Sequence, residues 1–381
     1  MHILFVSHSA DLMGAERSLI ALVREAVEVR GHRATVSIPA EGPLRAELVR
    51  VGADVVVLPT RLWMGRRHTP LVGLVRSGQA AASVPRYLRY LRRVGPDLVV
   101  TNSAVVPAGA IAARMAGLPH VWTIRESLLT NPSLRSAVPR ATIARTIAGL
   151  ADGIVAISQY VADQLLAAAP AARERLRVIP PSVAPLARDR VAEGRRGRAK
   201  LERLVLLGRY TPEKGQADAI EALGRCARAG RPLALKLAGV GDPAAQRALR
   251  ALAEEHGVGH LVEVTEWTDD PHALYAEADA TLMLSRNEAY GRVTLESLMS
   301  ATPVIGFRAG ATTELLAEGG GVLVEPDAEA LARTLLSLAG DDDGVDRLTS
   351  AALRRAHELN AAPSSAPAFV AHLEQLRAKL S

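Results

Sequence analysis

The sequence contains very little cysteine and lysine. Cys226 is its one cysteine, and only four of its 46 basic residues are lysine, which leaves 42 arginines. A single thiol excludes an intrachain disulfide and a metal site built from several cysteines. We therefore interpret Cys226 as a small residue of a helix rather than a nucleophile. The scarcity of lysine is interpreted as genome composition, since the two cations are not chemically interchangeable everywhere.

Long apolar runs are absent as well. Although 49% of the residues are hydrophobic, no run approaches the roughly 20 apolar residues that cross a membrane. Met1 leads directly into a strand-like segment, His2–Ser7, without the leader that a signal peptide would have. A chain of 381 residues is long enough for two domains, and we expect a globular, cytoplasmic protein.

The positive charge is concentrated in the first half of the chain. Residues 1–180 contain 22 basic and 12 acidic residues, a balance of +10, whereas residues 181–381 contain 24 basic and 28 acidic residues, a balance of −4. The two balances add up to the net charge of +6. This change predicts a domain boundary near residue 180.

Short apolar, β-branched segments alternate with helix-like segments in both halves. Such alternation predicts βαβ units and parallel sheets. The predicted fold class is therefore α/β, with two Rossmann-like domains that face a cleft. We predict a first domain over residues 1–181, a second over residues 182–360, and a last helix within residues 361–381 that closes the second domain or crosses back to the first.

Two carboxylates mark the stretch of residues 285–297. Glu288 and Glu296 lie eight positions apart across a predicted strand-to-helix turn, and Gly291 precedes the helix. Open α/β sheets bind ligands at the carboxyl ends of their strands. The free N–H groups at a helix start can hold an anion such as a phosphate. Taken alone, the two carboxylates also fit an acid/base pair of the glycosidase type.

Two cations lie on another loop that follows a predicted strand. Arg209 and Lys214 could clamp a diphosphate there, the first as a planar fork and the second as a point charge. An exposed basic loop is the alternative interpretation. With these cations nearby, Glu288 and Glu296 are better interpreted as groups that bind hydroxyls than as proton carriers.

Glycines follow two further predicted strands. Gly239 and Gly241 could let the backbone approach a ligand closely, or they could form a plain turn. Gly14 follows the first strand and precedes a helix predicted over Ser18–Arg30, so free N–H groups there could hold a phosphate. No Walker motif and no dinucleotide fingerprint is present at that loop, and an ordinary turn is the alternative.

Taken together, these motifs resemble the retaining glycosyltransferases of the glycogen-synthase-like family four, which have the GT-B fold. The resemblance covers most of the chain. It rests on motifs that occur in the family's order: Gly14-Ala15-Glu16, Arg209 followed by Lys214, Glu288 followed by Glu296, and Thr302-Pro303-Val304-Ile305.

The resemblance implies a role for each matching position. Arg209 and Lys214 would hold the donor diphosphate and stabilise the departing nucleotide, Glu288 would bind hydroxyls of the donor sugar, and Glu296 would bind the ribose. The backbone of Gly14 would reach the phosphate on cleft closure. The base would lie near Gly239, Gly241 and residues 266–269. Backbone N–H groups facing sugar and phosphate would come from Tyr290, Gly291, Arg292, Val293 and Thr294.

One position departs from the family pattern. Many relatives have a histidine near the end of the fifth strand, beside the donor sugar, and Arg125 occupies that place here. Its guanidinium could bind sugar hydroxyls, an acidic acceptor or the phosphate. A structural role, in which Arg125 pairs with Glu126, is an equal alternative.

No metal and no other cofactor is expected. Breaking a sugar–phosphate bond places negative charge on the diphosphate, and fixed cations stabilise that charge without proton transfer. The sequence Asp341-Asp342-Asp343 has the letters of a metal-binding motif, but it follows a predicted helix and is interpreted as a solvated turn.

A basic segment in the first half could contact a membrane. Residues 61–93 contain eight arginines and no acid, interleaved with aromatic and apolar residues. Such a face can lie on an anionic bilayer. A solvated helix face and a groove for a charged acceptor are the alternatives. Nucleic acid is not expected as a partner, because no nucleic-acid-binding motif accompanies the charge.

The predicted activity is the retaining transfer of a hexose from a nucleotide-diphosphate sugar to an acceptor hydroxyl. The acceptor could be a lipid-linked glycan, a polysaccharide or a natural product. Two alternatives are a GT-B enzyme of another class, such as a sugar-nucleotide epimerase or a phosphorylase, and a nucleotide-sugar-binding protein without turnover. No pyridoxal-lysine motif of a phosphorylase is visible.

Overall fold

The computed structural model describes residues 1–65, 78, 80–181, 183–186, 191 and 200–380. Its contacts divide the chain into two compact units, Met1–Ser182 with Ser364–Ser381, and Val183–Pro363. Each unit is built on a parallel sheet with helices between consecutive strands. The fold is therefore α/β, with two Rossmann-like units.

The described residues of the first unit form a seven-stranded sheet in the order β3-β2-β1-β4-β5-β6-β7. The strands are β1 His2–Ser7, β2 Arg33–Ile38, β3 Asp54–Val57, β4 Leu98–Asn102, β5 His120–Ile124, β6 Gly153–Ala156 and β7 Leu176–Val178. The described helices are α1 Gly14–Arg24, α2 Leu44–Arg50, α3 Val84–Val94, α4 Ala108–Ala116, α5 Arg140–Leu150 and α6 Gln159–Ala168.

Helix α1 begins four residues before the predicted start at Ser18. The Ser18 hydroxyl donates to the Gly14 carbonyl oxygen at 2.9 Å, so this serine bonds back within the first turn and does not cap the helix. Gly14 is therefore the first residue of α1 and not a loop residue in front of it. The predicted helix also changes into a π-helical turn at Glu25–Val29.

The described residues of the second unit form a six-stranded sheet in the order β10-β9-β8-β11-β12-β13. The strands are β8 Arg203–Leu207, β9 Ala234–Ala238, β10 Val262–Thr265, β11 Ala280–Met283, β12 Val304–Phe307 and β13 Gly321–Val324. The helices are α7 Gln216–Arg228, α8 Pro243–Glu255, α9 Pro271–Glu277, α10 Arg292–Met299, α11 Thr312–Leu316, α12 Ala328–Ala339 and α13 Asp342–Ala361.

The last helix, α14 (Ala366–Leu380), belongs to the first unit. Its apolar face, with Phe369, Val370 and Leu373, is buried in the cluster that contains residues of α1 and β1. Its Glu374 carboxylate also contacts the His32 imidazole at 2.8 Å. Among the described residues, no helix has the length and apolar character to cross a membrane.

An aspartate at the amino end of a strand aligns neighbouring strands in both units. Asp97, Asp152 and Asp279 each lie directly before a strand, and their carboxylates accept from the first N–H group of an adjacent strand, at 2.6, 2.9 and 2.8 Å. Their own N–H groups donate back to the carbonyl of the same neighbouring residue. The same exchange of hydrogen bonds therefore sets the strand alignment in both units.

Each strand order has one switch point. In the first unit β1 and β4 are neighbours, and in the second unit β8 and β11 are neighbours, because the chain fills one side of each sheet before it turns to the other. In open parallel sheets the crevice for a ligand lies beyond the carboxyl ends of the strands at such a point. The loops after these four strands are therefore the places to look for a functional site.

Candidate functional site

At the switch point of the second unit, one of the two predicted cations meets one of the two predicted carboxylates. The loop after β8 carries Lys214, and the loop after β11 carries Glu288. The Lys214 Nζ and Glu288 Oε2 atoms are 2.7 Å apart, and the two side chains are 26% and 17% exposed. The predicted cation and the predicted carboxylate therefore form a half-buried ion pair at this edge of the sheet.

The loop that carries Lys214 has a defined shape. A short 3-10 turn, Pro212–Lys214, precedes α7, so Lys214 ends this turn and does not begin the helix as predicted. Gly215 separates the two with a φ of 75°, and a Cβ there would lie 2.5 Å from the Leu284 Cβ. A side chain at this position would be strained and would collide with Leu284, the residue that follows β11. The buried Gln216 amide donates to the Arg209 carbonyl oxygen at 2.8 Å, which links both ends of the loop.

The Glu288 carboxylate is held in its ionised form. Burial alone would raise its pKa, but the Lys214 ammonium and the N–H groups of Tyr290 and Gly291 outweigh burial and lower the pKa below its usual value. An ionised carboxylate accepts hydrogen bonds only, so Glu288 is equipped to bind hydroxyl groups.

Glu296 lies on the first turns of α10, as the sequence predicts, and both of its oxygens are engaged. Arg292 donates to Oε1 at 3.0 Å, and the Tyr275 hydroxyl donates to Oε2 at 3.4 Å. Tyr275 is fully buried; burial and the adjacent carboxylate raise its pKa well above the usual value, so the hydroxyl stays protonated and can donate. Sequence reasoning missed Tyr275, which is 21 positions away.

Helix α10 begins behind a glycine, as predicted. Gly291 has a φ of 90° and precedes Arg292, the first helical residue. The Gly291 N–H group is used by the Glu288 carboxylate, at 3.3 Å. The N–H groups of Arg292, Val293 and Thr294 belong to the first turn, where no intrahelical acceptor exists. These three remain candidates for contacts with a ligand.

Gly239 and Gly241 have a packing role in the structure. A Cβ at Gly239 would lie 1.7 Å from the Gly208 carbonyl oxygen, and one at Gly241 would lie 2.7 Å from the Tyr210 side chain. The glycines thus let the loops after β8 and β9 approach each other. Val240, on the same loop, and Trp267, in the stretch predicted to lie near the base, are exposed.

Arg286, the third residue after β11, anchors the loop that carries Glu288. Its guanidinium forms two hydrogen bonds to the Asp218 carboxylate, at 2.7 and 3.0 Å, and lies 5.1 Å from the centre of the Phe307 ring. This arginine is therefore committed to the scaffold. Sequence reasoning did not single it out, although its position in the loop after a buried strand is the same signal that identified Glu288.

The first unit places its predicted residues around its own switch point. Gly14 begins α1, and Arg125 follows β5. The Arg125 guanidinium donates to Asn102 Oδ1, at the end of β4, at 3.3 Å. The Glu126 carboxylate accepts from the Ser103 hydroxyl and from the N–H groups of Ala104 and Arg125, at 3.0 and 3.1 Å. Glu126 thus binds the ends of β4 and β5 together. Sequence reasoning missed Asn102.

The cysteine and the aspartate run that the sequence also raised as candidates both have structural roles. Cys226 is buried in α7, and burial raises the pKa of its thiol to about 11, which agrees with its interpretation as a helix residue. Asp341 caps α13 by accepting from the Gly344 N–H group at 2.8 Å. Within the described ranges, no group of three or more His, Cys, Asp or Glu side chains is placed to hold a metal ion.

Two family models match the chain, one in each half. Residues 13–185 match the model described as Glycosyltransferase Family 4, and residues 192–355 match Glycosyl transferases group 1. The solved structure of HepE from Anabaena, in complex with UDP and glucose, has a TM-score of 0.77 at 22% identity and covers 98% of this chain and 100% of its own. The two units therefore have the fold of the GT-B glycosyltransferases.

Two curated relatives agree with the two family models. The 2-deoxystreptamine glucosyltransferase of Streptomyces kanamyceticus is 28% identical over 74% of this chain and 77% of its own. The D-inositol 3-phosphate glycosyltransferase 1 of Catenulispora acidiphila is 31% identical over 65% of each chain. This chain belongs to the family-four glycosyltransferases, enzymes that transfer a sugar from a nucleotide sugar, as the sequence motifs predict. No relative among these supports the epimerase alternative.

Proposed function

We propose that this glycosyltransferase retains the configuration of the transferred sugar, works without a metal, and binds its nucleotide-diphosphate donor at the switch point of the second unit. The observation that carries this proposal is the Lys214–Glu288 pair, which joins the loops after β8 and β11 at 2.7 Å. An ammonium has three donors, so Lys214 can keep one bond to Glu288 and give another to a phosphate oxygen. A chelator is expected to leave turnover unchanged.

In this proposal the cations stabilise the leaving group. Negative charge develops on the diphosphate when the sugar–phosphate bond breaks, and Arg209 and Lys214 supply positive charge where it forms. Glu288 accepts from hydroxyls of the sugar, and Glu296 accepts from the ribose. The first-turn N–H groups of α10 are proposed to contact phosphate oxygens of the donor. A phosphate contact by the backbone of Gly14, at the start of α1, stays a prediction from the sequence.

The nucleotide proposed for the first test is UDP, because the Anabaena structure was solved with UDP and glucose. Exposed Val240 and Trp267 are proposed to border the base. UDP, GDP, dTDP and ADP should be compared by thermal shift, since a ligand of the folded state raises the melting temperature. UMP is the matched control, because it lacks the second phosphate that the two cations are proposed to hold. If no diphosphate shifts the melting temperature, the donor site is wrongly assigned.

The acceptor is proposed to be a polyhydroxylated compound. Two of the curated relatives are named for 2-deoxystreptamine and D-inositol 3-phosphate. Both molecules are six-membered carbocycles that carry several hydroxyls, one with amines and the other with a phosphate. A natural product of this class is the acceptor we would test first, before a lipid-linked glycan or a polysaccharide.

A second proposal is that the enzyme is cytoplasmic and docks on an anionic membrane through the exposed face of α3. Within the predicted basic segment, residues 66–77 and 79 lie outside the described residues. In the described part, α3 buries Tyr87 and Leu91 and exposes four arginines, Arg86, Arg89, Arg92 and Arg93. An exposed row of guanidinium groups without an acid on the same helix fits an anionic lipid surface.

Vesicle sedimentation tests the membrane proposal. Vesicles with phosphatidylserine should sediment the protein at low salt, and vesicles of phosphatidylcholine alone should not. Replacing Arg89 and Arg92 by glutamine should weaken sedimentation, whereas replacing Arg24 and Arg50, exposed on other helices, should not. Equal sedimentation of both double variants would contradict a role for α3.

A further inference from the structure

The switch point of the first unit contains a buried side chain whose donors are not used. Asn102, at the end of β4, is 1% exposed, and its Nδ2 atom has no hydrogen-bond partner among the described residues. Its Oδ1 atom accepts from the Arg125 guanidinium at 3.3 Å, which fixes which side of the amide carries the N–H donors. Buried polar groups are nearly always paired, so an unpaired buried amide calls for a partner.

Other polar atoms without partners lie on the strands beside Asn102. Thr123, its register partner on β5, is buried, and its hydroxyl has no partner within the described ranges. On the other side β1 is followed by His8, whose Nδ1 atom lies 3.6 Å from Oε1 of the buried Glu16, too far for a hydrogen bond. Both of these atoms are also buried without a partner in the described part of the chain. Four of the buried polar atoms that lack a partner among the described residues thus lie at or next to the strand ends where this fold binds ligands.

The chemistry of the Asn102–Arg125 pair favours an oxyanion over a hydroxyl. A guanidinium has five N–H donors and no acceptor, and the one acceptor of the amide already receives a bond from Arg125. The pair therefore offers donors only. A hydroxyl must also donate its own proton, whereas a carboxylate or phosphate has only acceptors and forms stronger, charge-assisted bonds.

Glu126, the acid next to Arg125, does not take the place of a bound carboxylate or phosphate. The Glu126 carboxylate is engaged by the Ser103 hydroxyl and by the N–H groups of Ala104 and Arg125. It therefore links the backbone at the ends of β4 and β5. The Asn102 Nδ2 atom is left without a partner in the part of the chain that the structure describes.

We propose that Asn102 and Arg125 bind a carboxylate or phosphate group of a substrate and so make this glycosyltransferase select a charged substrate over its neutral analogue. The inference rests on the proposed function, because it takes the bound group to be part of the acceptor or of the donor sugar. These two sources share one chemistry, and a comparison of free anionic probes with a donor that carries a charged sugar separates them.

The acceptor arm measures probe binding to the full chain by calorimetry with UDP at saturation, so that the second unit's cations are occupied. The probes are glucose 6-phosphate, glucuronate, glucose and glucosamine. We expect the two anionic probes to bind more tightly than glucose, and glucosamine more weakly. Arg125→Gln should weaken the anionic probes roughly tenfold or more and leave glucose unchanged, since it removes a charged hydrogen-bond donor.

The donor arm compares UDP-glucuronate with UDP-glucose on the same proteins. A loss that Arg125→Gln causes only for UDP-glucuronate places the anion on the donor sugar, and a loss only for the free anionic probes places it on the acceptor. Either result supports the site. If neither arm shows a loss, or if the wild type does not prefer anionic probes in either arm, the proposal is overturned.

Two further variants serve as a second test of the site and as a control. Asn102→Asp preserves the shape of the side chain but gives Arg125 a built-in anion, so it should abolish the preference for anionic probes even if Arg125→Gln fails to fold. Arg24→Gln, on the exposed side of α1, removes the same charge elsewhere and should not change the binding of any probe.

If UDP itself does not bind, the proposed function fails. Glucose 6-phosphate is then titrated into Lys214→Gln protein, and whether its binding depends on Arg125 still decides the inference.

Discussion

The two units have similar strand ends at their switch points, but they differ in how the charged and polar side chains there are paired. In the second unit the predicted ligand groups are already paired with one another, Lys214 with Glu288 and Glu296 with Arg292. In the first unit Asn102 has donors without a partner among the described residues, and His8 and Glu16 face each other beyond hydrogen-bond distance. The predicted charged groups are thus paired with one another in the second unit, whereas a buried amide in the first unit keeps donors without a partner among the described residues. On the loop after β8 and the first turn of α10 in the second unit, the buried atoms without such a partner are hydroxyls, those of Thr211 and Thr294.

This difference indicates how each site would respond to a ligand. In the second unit a ligand has to share groups that are already bonded, so their positions are fixed beforehand and little reorganisation is needed when charge develops. In the first unit a ligand would complete hydrogen bonds that the folded chain leaves open, and binding would gain the full value of pairing them. We expect substitutions in the second unit to affect turnover, and those in the first unit to affect selection among substrates.

The largest effect is expected from Lys214→Gln. The glutamine amide can still donate to Glu288, so the loop should keep its shape, but the positive charge at the leaving group is lost. We expect kcat/KM to fall roughly a hundredfold or more, the scale of removing one preorganised donor from a developing anion. Steady-state kinetics with the donor identified by thermal shift measures the loss.

Lys236→Gln is the matched control for this variant. Lys236 is another lysine of the second unit, on β9, and its ammonium lies 3.4 Å from Glu263. It should retain full turnover. A Lys214→Gln protein that melts at the wild-type temperature and turns over within twofold of the wild type would show that the ion pair is only structural.

Much of the fold follows from local sequence, because apolar segments of strand length alternate with amphipathic ones throughout the chain. Residues in the loops after strands could also be predicted as site candidates, and Glu288 and Lys214 do meet. What the sequence could not show is which side chains meet across elements. The Tyr275 bond to Glu296 joins α9 to α10, and the packing role of Gly239 depends on a different loop. Asn102 ends an apolar run, so the switch-point rule could have flagged it.

A smaller effect is expected from Tyr275→Phe. This variant tests whether the hydrogen bond from Tyr275 to Glu296 in the second unit contributes to the affinity for UDP. The hydroxyl donates to Glu296 over a long 3.4 Å. Its loss should misplace the carboxylate and lower the affinity for UDP about five- to tenfold, with kcat little changed.

A merely structural role for Tyr275 would lower the affinities for UDP and 2′-deoxy-UDP equally. If Tyr275 positions Glu296 for the ribose, the variant should lose affinity for UDP but not for the deoxynucleotide, because the latter lacks a hydroxyl that Glu296 is proposed to hold. Calorimetry with both nucleotides, and with Tyr90→Phe on α3 as control, decides between the two. An equal loss for both nucleotides would leave the paired geometry of Glu296 without a role in recognition.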